Sequence, residues 1–202
     1  MLRPHERAPG SVNMDSQRYA LKLAAKPGPE IPDRDLVLFF HRLIQDKAVQ
    51  ETCIDVADYT HVPDGPGVML ICHEAHYSLE RAGGSLGLRC AGKRGFEGDA
   101  RARIRRVLHK TLHLAHLAET HEVLGGRLQF DTSSATFWIE DRLIAPSTDA
   151  TFAAFAPVLA ETITGVWGAS PILARGGSSK EPFRIDITVP VAPPIADLLG
   201  RL

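Results

Sequence analysis

The sequence predicts an α+β fold, a largely antiparallel sheet with helices on one face. Three observations carry this. Several short segments alternate apolar and polar residues with a period of two. Three longer segments repeat their apolar residues at helical spacing. The order of the two kinds is mixed rather than strictly alternating, and that order favours helices laid over an antiparallel sheet.

Residues 1–16 are rich in Arg, Pro, Gly and Ser without periodicity and read as a disordered tail, with Met14 a second candidate start. Residues 17–202 read as a single α+β domain, as expected for 202 residues. Tyr19 to Ala25 alternates as a first strand. KPGPEIPD breaks it and offers Asp33 as a cap. Leu36, Phe39, Phe40, Leu43 and Ile44 then recur on one helix face. TCIDVADYTHV reads as a strand, and PDGPG as a turn, since Pro sets φ and Gly permits positive φ. VMLICHEAHYSL reads as one strand and LGLRCAGK as the next, which together make a meander.

A long helix is expected over roughly 98–122, with Ile104, Val107, Leu108, Thr111, Ala115 and Ala118 on its apolar face and Gly125–Gly126 at its end. RLQFDT and ATFWIEDRLI read as strands, with Glu140–Asp141 a candidate turn in the second. Ser147, Thr148 and Asp149 precede the helix TFAAFAPVLAETITGVWG, where Pro157 predicts a kink or restart. GASPILARGGSSKEP reads as a loop and FRIDITVPV as a strand. PPIADLLGRL reads as a short helix opened by proline. From Leu86 onward the expected order is βαββαβ, that of a ferredoxin-like unit.

Lys plus Arg total 23 against 24 Asp plus Glu, a net charge of -1. That balance gives no electrostatic footprint for nucleic acid, and no nucleic-acid partner is expected. No apolar run reaches membrane-spanning length and the N-terminus has no h-region, so the expectation is a cytoplasmic protein without a membrane partner. Cys53, Cys72 and Cys90 form no CxxC and lie in apolar stretches, which reads as reduced and buried. No GxGxxG or GxxxxGK[ST] phosphate turn is present and no nucleophile elbow is read, and the cofactor is unknown.

Two constellations carry chemistry. The first is DYTHVPDGPGVMLICHEAHYSLE. With the hairpin closing around Asp64–Pro66, Asp58 and His73 fall on one mostly apolar face, where a carboxylate would orient an imidazole as a general base. Tyr59, His61 and Glu74 are candidate assistants in a hydrolase or isomerase. The competing reading is structural, with these polar groups bonded to backbone around a turn. HEAH is not a zincin motif, which needs two His at i, i+4 on a helix. Cys53, Asp55, Glu74 and His76 are individually zinc-competent but lack standard spacing, and the metal remains unknown.

The second is RIRRVLHKTLHLAHLAETHE. At about 100° per residue, His109, His113 and His116 share the side of the helix that carries Arg105 and Arg106. The His109/His113 pair has the i, i+4 spacing that can grip a divalent ion, and the Arg residues point to an anionic or carboxylate-bearing partner. The alternative is a solvated polar face. With no catalytic signature, the leading expectation is a ligand- or partner-binding protein, with homodimerisation through the sheet a candidate by fold analogy.

IDVADYTHVPDGPGVMLICHEAHYSL resembles a segment found in an uncharacterised family of small bacterial proteins, and RLIAPSTDATFAAF looks like a second shared patch. The resemblance covers a minority of the chain. It implies a stand-alone domain and no activity, cofactor or site residue.

Overall fold

Alternation in the strand sequences becomes two rows of side chains, one on each face of a single sheet. The computed structural model describes residues 18–202 apart from Gly83 and Gly95; the expected tail at 1–16 lies outside the described residues. The elements are β1 (Tyr19–Ala24), α1 (Asp33–Gln45), β2 (Cys53–Tyr59), β3 (Gly67–Cys72), β4 (Ala75–Glu80), β5 (Gly87–Gly92), α2 (Ala100–Thr120), β6 (Ser134–Ile139), α3 (Asp149–Trp167), β7 (Ile172–Gly176), β8 (Phe183–Thr188) and α4 (Ile195–Leu199). The eight strands lie in the order β2-β3-β4-β5-β1-β6-β8-β7, and each pairing is antiparallel.

The wiring repeats itself. From central β1, α1 carries the chain to edge strand β2, and the meander β3-β4-β5 returns beside β1. From central β6, α3 carries it to the opposite edge, β7, and β8 returns beside β6. The register sets Leu70, Tyr77, Cys90, Leu21, Phe137 and Ile185 in one row across six strands. These six side chains are buried in one apolar cluster with residues of all four helices. At its centre the Tyr19 ring meets Phe137 and Phe155 edge-on, at 5.4 and 5.5 Å between centroids. The opposite face carries Lys22, Arg89, Thr136, Trp138, Arg184 and Asp186, with Arg89 stacked on Trp138.

Several expectations are corrected. VMLICHEAHYSL is two strands, because His73–Glu74 forms a tight hairpin turn. Neither residue has positive φ, so this is not one of the primed turns that a Gly or Asn would announce. The turn is held from outside: the Glu51 carboxylate accepts the backbone amides of Glu74 and Ala75 at 2.6 and 3.1 Å. RLQFDT contributes only an isolated bridge between Phe130 and Ala25. The expected loop at 168–182 contains β7, an edge strand with Ile172 72% exposed. The order from β5 is therefore βαβαββ, and the ferredoxin-like order is not found.

Pro32, not Asp33, takes the cap position of α1, with Asp33 in its first turn. α3 runs unbroken through Pro157. It is also long and apolar enough to span a membrane by length and composition. In the fold its Phe155, Leu159, Ile163 and Val166 are buried in the core cluster.

Candidate functional site

The long helix α2 begins where the Asp99 carboxylate accepts the Ala102 amide at 2.8 Å, satisfying one of the orphan donors of its first turn. Ile104, Val107, Leu108, Thr111, Ala115 and Ala118 are buried along it, as their spacing predicts. α2 lies over β1 and β5 and touches α3 and α4. This orientation leaves the Arg105–His109–His113 stripe at the border of the helix layer. There it walls a cleft of about 300 Å³ together with Arg106, Lys110 and Tyr77. Val49 and Gln50, from the segment after α1, and Leu202 complete the lining.

Behind the cleft is a network of buried charge. Glu51 accepts from Lys110 Nζ at 2.7 Å and from the Tyr77 hydroxyl at 2.7 Å, besides the two turn amides. Its side chain is 1% exposed, and every lone-pair direction has use, as a buried carboxylate requires. Lys110 also reaches Glu74 at 3.0 Å, and Arg106 donates to the same Glu74 oxygen at 2.7 Å. Burial alone would raise the Glu74 carboxyl, but hydrogen bonds from Arg106 and Lys110 overcome it and hold the group below the ordinary carboxylate range. Burial likewise works against the charged Lys110, and its bonds to Glu51 and Glu74 reverse the sign and raise it. Both ions therefore stay charged, Lys110 in the cleft wall and Glu74 behind it.

The histidines face a positive field. His109 and His113 stack with ring planes 6° apart and centroids 6.0 Å apart. His113 Nε2 donates to the Ala48 carbonyl at 3.2 Å, an acceptor only, which places the proton of the neutral ring on Nε2. Burial lowers the His109 pKa below 6.5, and His113, Lys110 and Arg106 lower it further. Arg105 donates to the main-chain oxygen of Leu202 at 2.7 Å, which holds the guanidinium at the rim. Among the described residues no Asp or Glu lines this cleft. A cavity with several cationic donors and no acidic side chain is arranged to receive an anion.

Of the residues expected on this helix, Arg105, His109 and His113 line the cleft and His116, one turn further on, does not. Lys110, Tyr77 and Glu51 were missed. Lys110 had a local signal, four residues after Arg106. Tyr77 and Glu51 reach it from remote segments, and no spacing announces that.

The hairpin constellation does not assemble. Tyr59 pairs with Gly67 and Asp58 with Val68, so residues 60–66 form the loop instead of a closure at Asp64–Pro66. His73 lies five residues beyond Val68, about 17 Å along the strand at the usual rise, in the turn at the other end. Asp58 accepts from the Thr60 amide and hydroxyl at 2.9 and 2.7 Å, and these bonds lower its pKa. It holds its own turn. Asp58, Tyr59, His61 and His73 are exposed, and of the five hairpin candidates only Glu74 joins the cleft network. The zinc-competent set also divides. Asp55 and His76 flank Ile71 on the open face of the sheet, whereas Cys53 pairs with buried Cys72. Among the described residues no three His, Cys, Asp or Glu side chains converge on a point where a metal ion would sit.

Comparison with protein-family models and with curated proteins gives no match, so the reading of this site rests on its own residues.

Proposed function

We propose that this is a ligand-binding protein whose α2 cleft takes a small molecule through an anionic group, a carboxylate or a phosphate. The observation that carries the reading is the one-signed lining. Arg105, Arg106, His109, Lys110 and His113 converge, while the two nearby carboxylates lie behind Lys110 and Arg106 and orient them. Donors fixed before the ligand arrives lose little entropy on binding, which favours affinity. Of the remaining wall, Tyr77, Val49 and Leu202 offer apolar surface for the rest of a compact molecule, beside the polar Gln50.

Calorimetric titration with sulfate, phosphate, succinate and citrate tests this. At least one of these is expected to bind, and His109→Gln and Arg105→Gln each to weaken that binding about 10-fold or more, the effect of losing one charge-assisted hydrogen bond. No heat from any of the four, or binding indifferent to both substitutions, overturns the reading.

A further inference from the structure

Cys53 and Cys72 stand directly opposite each other on β2 and β3. The adjacent His73 amide donates to the Thr52 carbonyl at 2.9 Å. The cysteines therefore occupy a position between hydrogen-bonded pairs, where facing Cα atoms are about 4.5 Å apart and side chains come closest. That spacing lies within the range a disulfide spans. The two sulfurs are 3.0 Å apart, with the Cys72 thiol donating to Cys53.

The two thiols are not equivalent. Cys53 is half-buried and lines a cavity of about 520 Å³ formed with Leu43, Ile44, Lys47, Val49, Glu51 and Thr52. Cys72 is fully buried behind it and absent from that lining. The donated hydrogen bond from Cys72, and more weakly Lys110, favour the Cys53 thiolate against burial and against Glu51. The same pairing, with burial, raises Cys72. One sulfur is thus the accessible nucleophile and the other its sheltered neighbour. The third cysteine, Cys90, is fully buried, and burial pushes its thiol up to about 12.

We propose that Cys53 and Cys72 form a redox-active dithiol, in which Cys53 reacts first with a peroxide and Cys72 resolves it to a reversible cross-strand disulfide. In the first step the Cys53 thiolate attacks one peroxide oxygen. An S–O bond forms, the O–O bond breaks, and the departing hydroxide takes up the proton that Cys53 had released. In the second step the Cys72 sulfur attacks the Cys53 sulfenic acid. An S–S bond forms, the S–O bond breaks, and the Cys72 proton leaves with the hydroxyl as water. Two thiols lose two electrons and one hydrogen peroxide becomes two waters. This reading rests on the β2–β3 pairing and its cavity, and stands whether or not the α2 cleft binds anions.

The test uses the full chain, reduced, desalted, exposed to hydrogen peroxide, then denatured and alkylated. The expected product is a monomer two hydrogens lighter, with one alkylatable thiol, Cys90, out of three, and a peptide map joining Cys53 to Cys72. Dithiothreitol should restore all three thiols. Cys72→Ala should instead accumulate Cys53 sulfenic acid, trapped by dimedone, and oxidation of Cys53 should outpace that of Cys90 at least 10-fold. Retention of three alkylatable thiols, a disulfide between two chains, or Cys53 sulfinic acid beside an unmodified Cys72 in the wild-type protein overturns the proposal.

Discussion

The Glu51 carboxylate and the Lys110 ammonium meet 2.7 Å apart at the border between α2 and the sheet, with side chains only 1% and 9% exposed. An ion pair removed from water to this degree gains little net stability, but losing one partner is costly because the other remains buried and charged. Glu51 has a second duty, since it accepts the two amides of the His73–Glu74 turn. Glu51→Ala should therefore lower unfolding stability by about 3–5 kcal/mol. Glu51→Gln keeps an oxygen for the turn and should lose less. Urea denaturation of the two variants checks both the size and the order.

His109 links the cleft to pH. Burial and its cationic neighbours depress its pKa below 6.5, and a bound anion would relieve that pressure by favouring the imidazolium. Protonation and anion binding must then promote each other. Affinity for sulfate, which keeps its charge across the range, should rise as pH falls from 7.5 to 5.5, and His109→Gln should flatten the slope. Calorimetry at four pH values measures it.

The same depression has a consequence for stability of opposite sign. His76 is also lowered, by burial first and Lys93 second, with Glu140 opposing. Below pH 6.5 the unfolded chain takes up protons at both histidines that the folded chain resists, so the unfolded state binds more. Stability should therefore be unaffected by these groups well above pH 6.5. It should begin to fall as pH drops through 6.5, and stop falling on their account once pH is below both folded values. Thermal unfolding between pH 8 and 5 without added anion checks the sign, and adding sulfate should oppose the fall at the acidic end.

What could be read from the sequence was what depends on local pattern. The β8 segment and the apolar stripe of α2 are periodic over enough residues to be unambiguous, and both face the core as expected. The Arg105–His109–His113 stripe was legible for the same reason, since three residues spaced four apart on one helix fix its face. The losses are non-local. β7 sits on an edge with little buried surface, so ILARG carries no alternation, and Gly176 with the following Gly177 mimics a loop. The His73–Glu74 turn needs no positive φ and so carries no Gly or Asn to announce it, and the carboxylate that accepts its amides comes from residue 51, outside the hairpin. The expected Asp58–His73 pairing is lost to register: the loop has seven residues, not the three of a closure at Asp64–Pro66, and that slides every cross-strand partner.

Gly67, at the end of that loop, pins the register and makes a final test. It opens β3 with φ at +62°, opposite Tyr59, and a Cβ added there would stand 2.2 Å from the Leu79 carbonyl oxygen of the neighbouring strand. The left-handed backbone alone costs a non-glycine residue about 1–2 kcal/mol, and forcing β3 away from β4 adds an overpacking cost of about 1–3 kcal/mol. Gly67→Ala should thus destabilise the fold by roughly 2–5 kcal/mol. Gly126 provides the comparison, with φ at +72° and no neighbouring atom within 4 Å of the place a Cβ would take. Gly126→Ala meets only the backbone cost and should lose about 1–2 kcal/mol. Equal losses in the two variants, read from urea midpoints at unchanged m-value, would show that the β3–β4 strands part freely at Gly67 and that the register is set elsewhere.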